Sequence, residues 1–388
     1  MVERELPLRV DALNKAAMSK PHDTNPAPDA SASNARMKRA CVLGGGAYGT
    51  AMAQVLGRVG TQVRMWVREA EVVEAINASR ENKPFLKGVR LSENIRATQD
   101  MKQALEGAEM VLVVVPTQFL RATMVSYRSV LPVGVPIVCC AKGIEVETLM
   151  CPYEILIEEL PGKYHHHLAA LSGPSFAEEV ANGQPTSVLV ASKNKAVAAT
   201  IQQAMSDSAF RVYTGSDVIG AELGGAVKNV LAIACGAAAG AGFGSNTAAL
   251  LMTRGLLEMT KLAVKKGGSV GTMMGLSGIG DLVLTCTSIK SRNYTVGFQI
   301  AQGKTLQDIT ASTGAVAEGV KTAVSIHNLA IQLGVEMPIC EEVYQVLHHG
   351  KSFVNALQDL KSRPLSTELQ GLDTLHDGAE SAVVNAKL

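Results

Sequence analysis

The chain has 388 residues, which suggests two or three domains at about 150 residues each. Hydrophobic residues make up 47% of it but aromatic residues only 4%, so aliphatic side chains must fill the interior. A formal net charge of +1 gives no electrostatic reason to expect nucleic acid or an anionic membrane surface as a partner.

Cysteine and histidine usage excludes the common metal and disulfide frameworks. The seven cysteines are scattered without a Cys-x-x-Cys pair, which favours reduced thiols in an intracellular protein. The triplet His165-His166-His167 is a predicted loop, because three neighbours in sequence do not converge easily on one ion. No metal site is therefore expected. No apolar run approaches the roughly 18 to 20 residues of a membrane span, so no such span is expected either.

The first segment, residues 1–36, differs in amino-acid composition from the remainder of the chain. It is rich in Pro, Ala, Ser, Asp and Asn from residue 19 onward and shows no apolar period. We expect a disordered extension here, since such a composition cannot bury enough apolar surface to fold. The mixed charges of its first half make it a poor signal or transit peptide.

A glycine motif follows the first strand-like run, Arg39-Ala40-Cys41-Val42-Leu43. The run leads directly into Gly44-Gly45-Gly46-Ala47-Tyr48-Gly49 and then into a helix pattern. A strand, a G-x-G-x-x-G turn and a helix in this order are typical of dinucleotide-binding folds. In that interpretation Gly44 permits the turn, Gly46 lets the backbone approach a pyrophosphate, and Gly49 lets helix and strand pack. The alternative is an ordinary glycine-rich turn.

The second predicted strand ends at Arg68, where the cofactor's ribose would lie. An acidic residue there accepts hydrogen bonds from the 2′-hydroxyl of NAD, whereas an arginine suits the 2′-phosphate of NADP. Glu69 and Glu71 follow Arg68 closely, so the choice between the two cofactors stays open, with a slight preference for NADP tolerance.

Further strands alternate with helices and end in polar segments. Apolar runs at 110–115, 136–140 and 168–171 are typical of parallel strands buried on both faces. Lys142 follows the second of these runs, at the sheet edge where ligands bind in such folds, although alone it could be an ordinary loop lysine. The third leads into Ser172-Gly173-Pro174-Ser175, a turn before a helix.

From about residue 217 the chain becomes helical and rich in Gly and Ala. The segment 223–236 predicts a helix that is apolar almost all round and holds one lysine, Lys228. A buried lysine needs a partner, and its pKa falls on desolvation, which makes it a candidate proton donor. Asp281, the only acidic residue between Glu258 and Asp308, is its expected partner. The alternative is a lysine at the helix edge with its ammonium in water.

Eight blocks of sequence, in order, resemble one family closely. They are Gly-Gly-Gly-Ala-Tyr-Gly-Thr-Ala at 44–51, Val-Pro-Thr-Gln at 115–118, Ala-Lys-Gly-Ile-Glu at 141–145, Ser-Gly-Pro-Ser-Phe-Ala-Glu-Glu-Val at 172–180, Leu-Gly-Gly-Ala-Val-Lys-Asn-Val at 223–230, Gly-Ile-Gly-Asp-Leu at 278–282, Ser-Arg-Asn at 291–293 and Ala-Glu-Gly at 317–319. Together they are similar to the NAD(P)-dependent glycerol-3-phosphate dehydrogenases of the bacterial type.

The resemblance implies an α/β fold, with an N-terminal Rossmann-type doubly wound sheet followed by an all-helical C-terminal domain. We place the extension at 1–36, the dinucleotide-binding domain at 37–216, the helical substrate and catalytic domain at 217–365, and a polar tail at 366–388. The implied reaction is the reversible reduction of dihydroxyacetone phosphate to sn-glycerol 3-phosphate with NAD or NADP as cofactor.

The resemblance also implies roles by matching position. Lys228 would exchange the proton with the substrate oxygen, and Lys142 and Asp281 would orient and polarise around it. Cofactor contacts are expected from Gly44, Gly46, Ala47, Tyr48, Gly49, Arg68, Lys142, Ala177, Arg292 and Glu318. Substrate contacts are expected from Lys142, Gly173, Ser175, Lys228, Asn229, Asp281, Ser291, Arg292 and Asn293.

Partners and alternatives complete the expectations. We expect a small phosphorylated substrate, a homodimer and no nucleic acid. The C-terminal Ala386-Lys387-Leu388 resembles the Ser-Lys-Leu peroxisome address, so we expect an import receptor and a peroxisomal or glycosomal location, with the cytoplasm as the alternative. Two other functions remain: a two-domain dehydrogenase of hydroxy acids or sugar acids, and a catalytically silent dinucleotide-binding regulator.

Overall fold

An eight-stranded sheet forms the first half of the computed structural model, which describes residues 37–313, 317–369 and 371–372. The strands lie in the order β3-β2-β1-β4-β5-β6-β7-β8, all parallel to their neighbours except for the antiparallel pair β6 and β7. Their bounds are β1 Arg39–Leu43, β2 Gln62–Trp66, β3 Ile95–Thr98, β4 Val111–Val113, β5 Ile137–Cys139, β6 Leu168–Ser172, β7 Thr186–Ala191 and β8 Phe210–Gly215.

Helices connect and cover these strands, and then form the second half by themselves. The α-helices of the described residues are α1 Ala47–Arg58, α2 Ala70–Ser79, α3 Met101–Leu105, α4 Thr117–Tyr127, α5 Pro152–Glu159, α6 Ala177–Ala181, α7 Lys195–Met205, α8 Val218–Gly240, α9 Ser245–Lys265, α10 Val270–Met273, α11 Asp281–Cys286, α12 Arg292–Ala301, α13 Leu306–Thr313, α14 Glu318–Leu333, α15 Pro338–His348 and α16 Phe353–Ser362. A 3-10 helix, Gly162–His167, precedes β6, and a π-helical turn, Leu276–Gly280, precedes α11.

Successive side chains of each strand point to opposite faces of the sheet, so a hydrophobic core forms on each face. In β1, Ala40 and Val42 join one apolar cluster, while Cys41 and Leu43 join the other, and all four are fully buried. A strand buried on both faces reads as a continuous apolar run, which is why the sequence revealed β1, β4 and β5. The predicted fold class, a doubly wound sheet followed by helices, is confirmed.

The strand order reverses between β1 and β4, and this reversal creates a crevice. β2 and β3 lie on one side of β1, whereas β4 and all later strands lie on the other. In open α/β sheets, ligands bind outside the carboxyl ends of the strands at such a reversal. The glycine turn after β1 and the segment after β4 border this crevice.

The long helix α8 is the centre of the second half. Within the described residues it is the one helix long and apolar enough, by length and composition, to cross a membrane. The expectation that no apolar run approaches this length is therefore wrong. However, 89% of its most apolar stretch is buried in the protein, as in the core helix of a globular domain.

Glycines let α8 and α12 approach backbone to backbone. A side chain at Gly236 of α8 would overlap the carbonyl oxygen of Tyr294, and one at Gly297 of α12 would overlap that of Ile233. The helix extends over 23 residues, well beyond the predicted 223–236, and includes Gly236 at this close contact. Asp217 begins it by accepting a hydrogen bond from the Gly220 amide at 2.8 Å.

The predicted domain bounds stay predictions. The last strand, β8, ends at Gly215 and α8 begins at Val218, so the change to all-helical structure lies between these two residues. By backbone contacts, the described residues from Met37 onward form one compact unit. The extension at 1–36 and most of the tail beyond 365 lie outside the described residues.

Candidate active site

A pair of lysines on either side of one aspartate forms the chemical centre of the crevice. Lys228 donates to Asp281 Oδ1, and Lys142 donates to Asp281 Oδ2 at 2.8 Å. Lys228 is 6% exposed, and Asp281 is fully buried. The predicted partnership of Lys228 with Asp281 is therefore present, with Lys142 as a third member.

Three elements bring these side chains together. Lys228 lies in the middle of α8, Lys142 follows β5, and Asp281 is the first residue of α11. The π-helical turn Leu276–Gly280 lies directly against α8, because a side chain at Gly224 would overlap the carbonyl oxygen of Ser277. Glycine at that position therefore allows Asp281 to reach the lysine one helical turn further along α8.

Each lysine keeps one N–H for a ligand. Lys228 donates to Asp281 and to Thr285 Oγ1 at 2.9 Å, and the Thr285 hydroxyl donates to the Asp281 carbonyl oxygen at 2.6 Å. Lys142 donates to Asp281 and to the Gly173 carbonyl oxygen at 3.0 Å. An ammonium has three donors. Among the described residues each lysine therefore has two acceptors, and its third donor is free.

The two lysines have pKa values displaced in opposite directions. Burial lowers the pKa of Lys228 to about 8, since the attraction of Asp281 offsets it only in part and Lys142 adds repulsion. Burial acts in the same sense on Lys142, but the charge of Asp281 and the nearby Tyr48 outweigh it and raise the pKa of Lys142. Groups separated in this way divide the roles of proton exchange and fixed charge.

Two asparagines connect the helices behind the lysines. Asn229 donates to the Lys142 carbonyl oxygen at 3.2 Å and accepts from Asn293 Nδ2 at 2.9 Å. Asn293 in turn accepts from the Gly319 amide at 3.0 Å. These bonds hold α8, α12 and α14 to the loop after β5, so both predicted substrate residues lie at the site and have structural partners there.

The first turn of α12 carries an exposed arginine, Arg292. Ser291 is buried and accepts a hydrogen bond from the Tyr294 amide at 3.3 Å, so its hydroxyl caps the helix. Arg292 is exposed and has no hydrogen bond or ion pair with the part of the chain that the structure describes. Its charge reaches the carboxyl of Glu318, the first residue of α14. Burial raises the pKa of the Glu318 carboxyl, whereas the hydrogen bond from Thr117 and the charge of Arg292 lower it.

The glycine turn has the shape of a dinucleotide cradle. Gly44 has φ +125°, a conformation that side chains rarely adopt, and a side chain at Gly49 would overlap the Gly44 carbonyl oxygen. At Gly46, by contrast, an added Cβ would meet nothing within 4 Å. The open side at Gly46 and the N-terminus of α1, which begins at Ala47, fit a pyrophosphate. The residues present therefore fit NAD or NADP.

The structure brings the remaining predicted cofactor residues together, with one exception. Tyr48 bonds Ser175 at 2.9 Å, and Ala177 begins α6 directly after that loop. Arg68 contacts none of them. Its side chain is 80% exposed and pairs with Glu69 at 2.8 Å, beyond the end of β2.

Sequence reasoning missed Thr285 and Thr117. Thr285 lies one helical turn after Asp281, so the spacing of four residues was an available signal. Thr117 bonds Glu318 Oε1 at 3.2 Å, across 201 residues of chain, which no local pattern indicates.

Known proteins resemble this chain along most of its length. Residues 39–198 match the family model described as NAD-dependent glycerol-3-phosphate dehydrogenase N-terminus, and residues 217–358 match the model of its C-terminus. A glycerol-3-phosphate dehydrogenase [NAD(P)+] of Myxococcus xanthus is 49% identical over 86% of this chain and 100% of its own. One from a Geobacter species is 50% identical over 85% and 99%.

A solved structure agrees with these relatives. The crystal structure of glycerol-3-phosphate dehydrogenase from Coxiella burnetii has a TM-score of 0.79 and 36% identity, and the match covers 84% of this chain and 99% of that one. The chain therefore belongs to the NAD-dependent glycerol-3-phosphate dehydrogenase family, whose members are NAD(P)-dependent oxidoreductases that reduce dihydroxyacetone phosphate to glycerol 3-phosphate.

Proposed function

We propose that this chain carries out the reaction of its family with Lys228 as the proton donor to the substrate carbonyl oxygen. The observation that carries the proposal is the ammonium of Lys228: it is buried, held by Asp281 and Thr285, and keeps one N–H for a ligand. Its lowered pKa of about 8 supports proton transfer near neutral pH.

Charge development explains the arrangement. A nicotinamide cofactor held at the glycine turn would supply a hydride to the carbonyl carbon, and negative charge would then build on the carbonyl oxygen. Lys228 gives its third proton to that oxygen, and the fixed charge of Lys142 stabilises the same charge as it forms. Asp281 holds both ammonium groups in place. In the reverse direction neutral Lys228 accepts the alcohol proton.

The substrate phosphate belongs, in this proposal, at the first turn of α12. Arg292 offers a planar donor fork without a partner among the described residues, and the helix N-terminus adds free amides. The other proposed substrate contacts are Gly173, Ser175, Asn229, Ser291 and Asn293.

For the cofactor, we propose the glycine turn, Ala47, Tyr48, Ala177 and Glu318 as the contacts along the crevice. Arg68 lies just beyond the end of β2, the position expected to meet the cofactor's ribose in such folds, which supports acceptance of NADP, while the adjoining Glu69 pairs with its guanidinium. An Arg68→Ala variant tests the preference between NAD and NADP. The substitution should lower activity with NADPH more than activity with NADH.

The proposal is tested by following nicotinamide absorbance with dihydroxyacetone phosphate, using NADH and NADPH in parallel. The wild type should turn over, and Lys228→Ala should lose activity by about 10²- to 10⁴-fold, the usual contribution of a positioned acid. Quenching of intrinsic fluorescence should show that the variant still binds cofactor. Undiminished kcat in Lys228→Ala contradicts the role of Lys228. A wild type inactive with both cofactors would favour a hydroxy-acid or sugar-acid dehydrogenase, or a silent dinucleotide-binding regulator.

Oligomeric state and location are separate proposals. The family resemblance supports a homodimer, which sedimentation equilibrium would test directly.

The terminal Ala386-Lys387-Leu388 lies outside the described residues, and the bacterial relatives support the cytoplasm rather than a peroxisomal or glycosomal address. A fluorescent protein carrying about a dozen C-terminal residues of this chain should appear in puncta if the tripeptide is an address. Diffuse signal in a cell with peroxisomes contradicts it.

A further inference from the structure

The hydroxyl of Tyr48 bridges the two loops that border the crevice. It lies 2.9 Å from Ser175 Oγ, which in turn lies 2.9 Å from the Gly173 carbonyl oxygen. Ser175 has one hydroxyl proton and directs it to that carbonyl. The shared proton between the two hydroxyls therefore comes from Tyr48, which donates to Ser175.

This bridge continues to the catalytic centre without a gap. The Gly173 carbonyl oxygen also accepts from Lys142 Nζ at 3.0 Å, and Lys142 donates to Asp281. Gly173 has φ +137°, a turn at the end of β6 that aims its carbonyl at the lysine. Lys142 Nζ also lies 5.6 Å from the centre of the Tyr48 ring, within the range of a cation–π contact.

The helices that carry this bridge are tied together at their opposite ends too. Arg58, the last residue of α1, donates to the Val180 carbonyl oxygen at 2.9 Å and pairs with Asp207 at 3.0 Å. The turn that begins α1 and the loop that precedes α6 are thus fixed relative to each other. The Tyr48 end of this joint lies at the reacting centre, and the Arg58 end lies away from it.

We propose that Tyr48 is a positioning residue, whose hydroxyl orients the Gly173 carbonyl through Ser175 and thereby sets the direction of the Lys142 ammonium. The turn that holds the cofactor is in this way coupled to the lysine that faces the substrate. This role goes beyond the cofactor contact implied by the family resemblance. It rests on the role that the proposed function gives to Lys142.

The size of the effect follows from what is removed. Tyr48→Phe keeps the ring and its cation–π contact but deletes one neutral hydrogen bond, whose net worth corresponds to roughly 2- to 10-fold. At saturating NADH we expect that loss in kcat/KM for dihydroxyacetone phosphate, with the Kd for NADH changed by less than about twofold. Ser175→Ala should lose at least as much, because it also removes a substrate contact.

A double-mutant cycle tests whether Tyr48 acts through Lys142. In a Lys142→Met background the Tyr48→Phe substitution should have no further effect on the residual rate, because the group it positions is gone. Additive losses overturn the proposal. So does a Tyr48→Phe variant that changes only the Kd for NADH, since that result assigns Tyr48 to the cofactor alone.

Two controls separate the possible failures. Arg58→Met loosens the far end of the same joint, so it should lower the melting temperature while leaving kcat/KM at saturating NADH unchanged. An equal kinetic loss in Arg58→Met would make the effect of Tyr48 one of general rigidity and overturn the proposal. Full activity in Lys142→Met alone would instead refute the role proposed for Lys142, whatever Tyr48→Phe does.

Discussion

At the scale of single residues, Asp281 decides the electrostatics of the site. One carboxylate oxygen binds each lysine, and the carboxylate is fully buried. With one aspartate for two ammonium groups, the cluster carries a net positive charge when both lysines are protonated. Such a cluster suits a substrate that brings a phosphate and develops an oxyanion.

Arg292 gives a residue-scale prediction about the phosphate. Replacing it in Arg292→Ala removes a charged donor fork, so kcat/KM for dihydroxyacetone phosphate should fall roughly 10- to 150-fold, the worth of a charged hydrogen bond. Added guanidinium should restore part of the rate, because it can occupy the vacated position.

The matched control is Lys290→Ala, which removes a neighbouring cation that is already paired with Glu179 at 3.0 Å. Steady-state kinetics on the two variants should therefore differ strongly. If Arg292→Ala weakened only NADH binding, Arg292 would be a cofactor contact and not the phosphate clamp.

At the scale of elements, a buried carboxylate of α8 holds the start of α5. Glu222 is 3% exposed and accepts from the Tyr153 amide at 2.9 Å. Burial raises the pKa of Glu222 to about 8, against the backbone bond that lowers it, and the neighbouring charges are Glu154 and Lys266. Those two form an ion pair of their own at 3.0 Å.

The raised pKa of Glu222 predicts how stability depends on pH. Below the ordinary value of 4.5 the carboxyl is protonated in both the folded and the unfolded chain. Between 4.5 and about 8 only the unfolded chain loses the proton, so the free energy of unfolding falls by up to about 1.4 kcal/mol per pH unit. Above that window this group contributes no further change.

Glu222→Gln should therefore lose less stability than the wild type between pH 5 and pH 8, because its amide does not titrate. Denaturant unfolding at the two pH values measures the difference, which should be about 1 to 4 kcal/mol. Glu147→Gln, a change at an exposed position, should follow the wild type. Identical losses in all three proteins would show that Glu222 does not titrate in this window.

At the scale of the whole molecule, the sequence was informative where local pattern sets structure. The buried strands β1, β4 and β5 are continuous apolar runs. The glycine motif predicts the strand before it and the helix after it, which are β1 and α1. The pairing of Lys228 with Asp281 was also accessible, because a buried lysine needs a carboxylate and the chain between Glu258 and Asp308 holds one candidate.

Features that depend on tertiary contact were not accessible in this way. The strand β3 has only four residues, and its buried side chains are interrupted by the exposed Arg96, so its sequence resembles a loop. The antiparallel direction of β7 has no local signal. The bond between Tyr48 and Ser175 joins residues 127 positions apart, and only the folded chain brings them together.

The pH dependence of turnover in both directions tests the central claim most directly. If Lys228 exchanges the proton, reduction of dihydroxyacetone phosphate needs its charged form, so kcat should fall as pH rises through about 8. Oxidation of glycerol 3-phosphate needs the neutral form, so its kcat should rise through the same pH. Lys228→Ala should show neither transition. Profiles that are flat in the wild type, or transitions that persist in Lys228→Ala, would contradict the assignment of Lys228 as the acid.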